Sequence, residues 1–121
     1  MPEQLKKLKD YTDLIGRRLQ VVIDRPMGTA HPRFPQTTYP LNYGFVPEIF
    51  AGDGCEVDAY IVGETTPVEA CTGKCVAVVE RLDDDENKLI VSTGPTELAA
   101  DKLYGFVRFQ EDYFRTQIHT G

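Results

Sequence analysis

The chain has 121 residues, 41% hydrophobic and 26% charged, the values of an ordinary single globular domain (residues 1–121) and not of a disordered segment. Its 13 basic and 19 acidic residues leave a net charge of −6, which repels nucleic-acid backbone and anionic membrane surfaces and is compatible with carboxylates that await divalent cations. No apolar run approaches the roughly 20 residues that cross a bilayer, and the start, Met1-Pro-Glu-Gln-Leu-Lys-Lys, lacks the apolar stretch of a secretory signal. A cytoplasmic protein with neither a nucleic-acid nor a membrane partner is expected.

Residues 3–15 carry Leu5, Leu8, Tyr11, Leu14 and Ile15 at spacings of three and four, which predicts a short amphipathic N-terminal helix stopped near Gly16. Leu19 to Asp24 reads as a strand that Pro26 and Gly28 end. The segment from Pro26 to Pro40 holds four prolines and little periodicity, and an irregular stretch of that length in so small a domain is usually functional. Four short apolar runs follow, Tyr43 to Val46, Asp58 to Val62, Lys74 to Arg81 and Lys88 to Ser92, each bounded by chain breakers. A final long helix is expected from an N-cap at Thr96, with Glu97 in its first turn. Its apolar face would run through Ala99, Leu103, Phe106, Val107, Phe114 and Ile118, and Gly105 in its middle marks a close contact or a kink. About five strands and a terminal helix imply a mainly β or α+β class, as a small five-stranded OB-like barrel with the helix packed outside. The aromatic side chains Tyr104, Phe106, Phe109, Tyr113 and Phe114 exceed what one small barrel covers, so a homo-oligomer is also expected.

Cys55, Cys71 and Cys75 are an odd number. The spacing of Cys71 and Cys75, with no second pair and no nearby histidine, does not make a zinc site, so partly buried free thiols are expected.

Two acidic connections stand out. Asp53-Gly-Cys-Glu-Val-Asp58 places two carboxylates five positions apart, the second entering a strand, with Gly52 and Gly54 freeing the backbone around the first. Asp83-Asp-Asp-Glu-Asn-Lys88 crowds four anions into a hairpin connection, where they repel unless hydration or a cation compensates. Hard oxygen donors of this kind suit Mg2+, Mn2+ or Ca2+. Taken alone, the second loop reads as a solvated hairpin tip, and the first as either a turn with an exposed aspartate or a metal site. Taken alone, His31 reads as a surface histidine, and Tyr39 and Tyr43 as barrel core.

The ordered strings Asp24-Arg-Pro-Met-Gly-Thr-Ala-His-Pro32, Tyr39-Pro-Leu-Asn-Tyr-Gly-Phe-Val-Pro47, Gly52-Asp-Gly-Cys-Glu-Val-Asp58, Asp83 to Lys88 and Phe109-Gln-Glu-Asp-Tyr113 together resemble the soluble (family I) inorganic pyrophosphatases, across about residues 19–115. The resemblance implies a barrel whose mouth holds several Mg2+ ions around pyrophosphate, and Mg2+-dependent hydrolysis of a small phosphate-containing substrate. By position, Asp53 and Asp58 are similar to aspartates holding the metal pair that activates the nucleophilic water. Asp83, Asp84 and Glu86 resemble further metal-binding carboxylates, and Lys88 and Arg33 phosphate-binding cations. Tyr39, Tyr43 and Tyr113 match tyrosines lining the site, Tyr39 and Tyr113 as phosphate hydrogen-bond donors. Asp24 stands where longer members carry glutamate, and Cys55 where they carry an aspartate that assists deprotonation of the water. Two alternatives stay open: hydrolysis of another phosphoanhydride or small phosphoester, and a metal- or phosphate-binding module on the same barrel.

Overall fold

The computed structural model describes residues 3–83 and 86–121. In chain order the elements are β1 (Glu3–Gln4), α1 (Leu8–Thr12), β2 (Arg18–Arg25), β3 (Tyr43–Phe50), β4 (Glu56–Val62), β5 (Ala70–Arg81), β6 (Lys88–Ser92), α2 (Ala100–Glu111) and β7 (Thr116–Thr120). Antiparallel pairing joins β3 to β2, β2 to β5 and β5 to β6; a parallel pairing joins β6 to β4; and β4 returns to β3, closing a five-stranded barrel. β1 extends the β3 edge and β7 pairs with β5. The expected OB-like barrel with a helix outside it is therefore present.

Strand alternation sorts the apolar residues into two cores. Leu19, Val21 and Ile23 of β2, Val57, Ala59 and Ile61 of β4, Val78 of β5, and Leu89 and Val91 of β6 fill the barrel, joined by Leu5, Tyr11 and Leu14 from the N-terminal segment. The opposite faces carry Tyr43, Tyr60, Val62, Val79 and Ile90, which pack under Leu103 and Val107 of α2 and against Tyr39. At roughly 25 cal/mol per Å2 of apolar area removed from water, each fully buried aliphatic side chain stabilises by about 1.5–3 kcal/mol, so both layers hold the fold. Gly44 is needed where β3 crosses β2, because a Cβ there would stand 1.9 Å from the Val22 carbonyl oxygen.

Two of the expected elements differ. The N-terminal helix covers only Leu8–Thr12, and Glu3–Gln4 pairs with β3 instead. The spacing of Leu5, Tyr11 and Leu14 still buries all three; a strand, one helical turn and a further turn serve as well as one long helix. The terminal helix starts three residues later than expected, with Ala99 in an extended conformation at its N-cap, so neither Thr96 nor Glu97 caps it. It ends at Glu111, and Ile118 lies in β7 opposite Val79. The reason is tertiary. The β5 edge used by β2 over Ala70–Lys74 continues past it, and β7 satisfies its backbone groups over Ala77–Arg81. Phe106 is exposed, and Gly105 meets open space with the helix running unbroken through it, so the glycine marks no close contact. All three thiols are free; Cys75 is buried, and burial pushes it up to about 12, while Cys55 is exposed.

Candidate active site

On the outer wall of the barrel, between the Pro26–Pro40 segment and the end of α2, lies a cavity of about 460 Å3. Its charged lining is Asp24, Arg25, Arg33, Asp58, Arg81, Glu86 and Lys88; its aromatic lining is His31, Phe34, Tyr39, Tyr43, Tyr113 and Phe114.

Strand register places the floor. Tyr43 pairs with Tyr60 and Phe45 with Asp58, so Tyr43 and Asp58 are diagonal neighbours on one face of the β3–β4 ladder. The Tyr43 hydroxyl donates to Asp58 Oδ2 at 2.9 Å, and Lys88 Nζ, from the first residue of β6, donates to the same oxygen at 2.7 Å. Among the described residues no hydrogen bond reaches Asp58 Oδ1, and the Asp58 side chain is 30% exposed while that of Lys88 is 4% exposed. Lys88 Nζ also stands 5.5 Å from the Tyr43 ring centroid. Burial first, and then the Asp58 charge, pushes the Tyr43 phenol well above its ordinary value, which keeps it a proton donor to the carboxylate.

Asp24 enters by a bulge. The β2–β3 register shifts between Ile23 and Arg25, and Asp24 is the extra residue. Strict alternation would send Asp24 and Arg25 to opposite faces; the bulge lets both line the cavity while Ile23 stays in the barrel core. Desolvation by the wall raises the Asp24 carboxyl above its usual value, Arg25 opposes this, and Asp58 adds to it.

Behind the floor lies a buried polar chain. Arg81 donates to Glu111 from Nε (3.0 Å) and from a terminal nitrogen (2.8 Å), and its guanidinium lies 3.7 Å from the Phe114 ring centroid. Burial works against the Arg81 charge, but the bonds and charge of Glu111 outweigh it and hold the guanidinium firmly protonated. Tyr60 donates to Glu111 Oε2, Gln110 Nε2 donates to the Tyr60 hydroxyl at 2.7 Å, and Gln110 Oε1 meets His31 Nε2 at 2.8 Å. His31 Nδ1 accepts the backbone N–H groups of Arg33 (3.1 Å) and Phe34 (3.3 Å), so Nε2 carries the ring proton and donates to Gln110. Arg81 also approaches Glu86 at 3.9 Å.

Of the residues singled out from sequence, Asp58, Glu86, Lys88, Tyr43, Tyr39, Arg33 and Tyr113 come together around this cavity. Asp53 does not line it: that carboxylate is exposed and accepts the Cys55 N–H at 3.0 Å within its own turn. Asp83 also lies off the wall and accepts the Arg115 N–H at 3.2 Å. Asp84 falls outside the described residues. His31 is not a surface residue; it is 7% exposed, with its ring stacked on Tyr39 at 5.4 Å and 8°. Tyr39 and Tyr43 are both buried and line the cavity, so core and site are one place. The cavity opens on the barrel's outer face and not into its lumen, which side chains fill. Arg81, Glu111, Gln110 and Tyr60 were missed. The only signal was an arginine two positions from Val79 on an apolar face, which demands a buried carboxylate without saying where it is.

Fold and cavity together define a small OB-like barrel bearing an acidic, cation-flanked pocket on its outer wall. The family model for inorganic pyrophosphatase matches residues 4–108. The chain is 41% identical over 101 residues to the inorganic pyrophosphatase of Rickettsia prowazekii, with 70% of this chain and 58% of the relative covered. It is 32% identical over 99 residues to that of Caulobacter vibrioides, covering 75% and 52%. Among solved structures, the inorganic pyrophosphatase of Ehrlichia chaffeensis shares the fold, with a TM-score of 0.68 at 20% identity over 88% of this chain and 87% of that one. The chain belongs to the inorganic pyrophosphatase family and spans little more than half the length of these two sequence relatives. The family implies a divalent metal cofactor. Among the described residues, no helix is long and apolar enough to cross a membrane.

Proposed function

We propose that the chain hydrolyses inorganic pyrophosphate to two phosphates with Mg2+, Mn2+ being an alternative ion. The observation that carries this reading is Asp58. Its Oδ2 is fixed by Lys88 and Tyr43, and Oδ1 is left without a protein partner among the described residues, in a cavity shared with Asp24, Glu86 and three arginines.

The donor chemistry suits a hard divalent ion, since the carboxylates on this wall offer oxygen and no thiol lines it. Among the described residues no three such groups are gathered tightly enough to close around one ion. Asp58 and Glu86, with Asp24 beside them, are the donors we assign; Asp53 and the loop bearing Asp83 and Asp84 complete the set that the resemblance implies. A bound ion would supply charge neutralisation and a water acidic enough to ionise near neutral pH. The chain's own residues do the rest. Arg25, Arg33 and Lys88 would hold phosphate oxygens, the first two as planar forks and Lys88 as a point charge. Tyr43 and Lys88 keep Asp58 oriented, and Tyr39 and Tyr113 offer hydroxyl donors at the wall. Of the aromatic residues that suggested self-association (Tyr104, Phe106, Phe109, Tyr113 and Phe114), Phe106 and Tyr113 are among the exposed large hydrophobic residues; a homo-oligomer is a proposal that the mass in solution tests.

The test is phosphate release from pyrophosphate across a Mg2+ and Mn2+ titration, beside Asp58→Asn. Release that depends on metal and falls to background in Asp58→Asn is expected. A wild type no faster than Asp58→Asn at every metal concentration overturns the reading. If Cys55→Asp alone then turns the substrate over, the natural chain is a binding module.

A further inference from the structure

Apart from the Tyr113 hydroxyl, the aromatic rings at Phe34 and Tyr113 that line the cavity have no task in the proposed reaction. Phe34 and Tyr113 come from segments far apart in sequence and stack at 4.4 Å with only 6° between their planes, yet they are 37% and 56% exposed. They are two of the four exposed large hydrophobic residues among those described, and both line the cavity. Neither is loosely placed. The Phe34 N–H is held by His31 Nδ1, which Gln110 fixes through Oε1, while the Tyr113 N–H donates to the Gln110 carbonyl at 3.3 Å. Gln110 thus bonds to both segments that carry the rings, the Phe34 segment through His31 and the Tyr113 backbone directly, and its own side chain is anchored to buried Tyr60. The stack buries one face of each ring against the other and leaves the remaining area of both in water.

The cavity, at about 460 Å3, is of the size that encloses a drug-sized ligand. Its two sides match two parts of one molecule: carboxylates and cations for a diphosphate, and a flat aromatic shelf for a planar ring. We infer that the site also accepts nucleoside diphosphates, with the phosphoanhydride at Asp58 and Lys88 and the base stacked on the open face of the Phe34–Tyr113 pair. Stacking is tolerant of base identity, because every base presents a π face. The step is the one proposed for pyrophosphate, and the inference rests on that reading. Water oxygen forms a bond to the terminal phosphorus, and the bond from that phosphorus to the bridging oxygen breaks. The bridging oxygen leaves with its electron pair on the nucleoside monophosphate, and the water's protons pass to the released phosphate and to solvent. No oxidant or further co-reactant is required.

The test compares kcat and KM for ADP, CDP and pyrophosphate with Mg2+ in wild type, Phe34→Ala and Phe34→Tyr. Wild type should release phosphate from all three. Phe34→Ala should lower the ratio of kcat/KM for ADP to that for pyrophosphate by roughly tenfold, through KM, and Phe34→Tyr, which keeps a ring, should restore it. If wild type cleaves pyrophosphate but neither nucleotide, this inference fails and the reading of the site stands. If it cleaves none of the three, both fail. Equal loss for ADP and pyrophosphate in Phe34→Ala would make the pair a structural clasp and overturn the shelf.

Discussion

The molecule contains the same three-part arrangement twice, a cation, a carboxylate and a tyrosine hydroxyl. Lys88, Asp58 and Tyr43 form one; Arg81, Glu111 and Tyr60 form the other. In both, the phenol donates to the carboxylate and is pushed well above its ordinary value, by burial first and by that carboxylate next. They differ in what is left over. Glu111 is fully buried and both its oxygens are taken, Oε1 by Arg81 and Oε2 by Arg81 and Tyr60. Asp58 receives both its bonds on one oxygen, and its side chain is 30% exposed to the cavity. Arginine's planar fork saturates a carboxylate, whereas lysine's single ammonium does not. One triad is therefore a strut and the other an open ligand, although their inventories match.

The largest effect should come from removing the strut. Glu111→Ala leaves the Arg81 guanidinium buried without its carboxylate, which costs about 3–5 kcal/mol, read as a lower urea midpoint. Asp58→Asn, in contrast, should leave the urea midpoint near wild type and cut phosphate release by roughly 10²–10³, about 2.7–4 kcal/mol in the barrier. If the two variants exchange phenotypes, the comparison collapses. Next, Mg2+ at about 100 times its Kd should stabilise wild type by about 2.7 kcal/mol in thermal melts, and this gain should vanish in Asp58→Asn. The shared tyrosines give the smallest effect. Their phenols stay protonated in the folded chain while the unfolded chain ionises them through the usual value near 10. The native state then holds more protons, so stability is complete below pH 10 and falls above it by about 1.4 kcal/mol per pH unit for each tyrosine. Urea midpoints from pH 8 to 11 should fall as pH rises, and Tyr60→Phe should make that fall shallower by about 1.4 kcal/mol per pH unit.

Much of this was legible beforehand, for physical reasons particular to each part. The barrel strands carry strict alternation, as in Leu19, Val21 and Ile23 of β2, and alternation is a local property. The Asp58, Lys88 and Tyr43 constellation was legible because three separate strings stood in an order that resembles a known family. β7 was not legible. Ile118 continues the helical spacing of Leu103 and Val107, and only the unsatisfied edge of β5 turns that stretch into a strand. His31 was misread because nothing local says that a histidine beside Pro32 is roofed by Tyr39 and bonded to Gln110, 79 positions away.

By itself, the sequence determined the barrel, its carboxylates and the irregular Pro26–Pro40 segment, since these follow from short-range periodicity, turn chemistry and residue type. Tertiary structure alone decided which carboxylate is open and which is closed. Asp53, Asp58 and Glu111 are alike as residue types, but one caps its own turn, one faces the cavity and one is saturated by a buried arginine. A carboxylate's role depends on how many donors the fold brings to its two oxygens, and those donors arrive from strands and helices that the chain joins only when it closes.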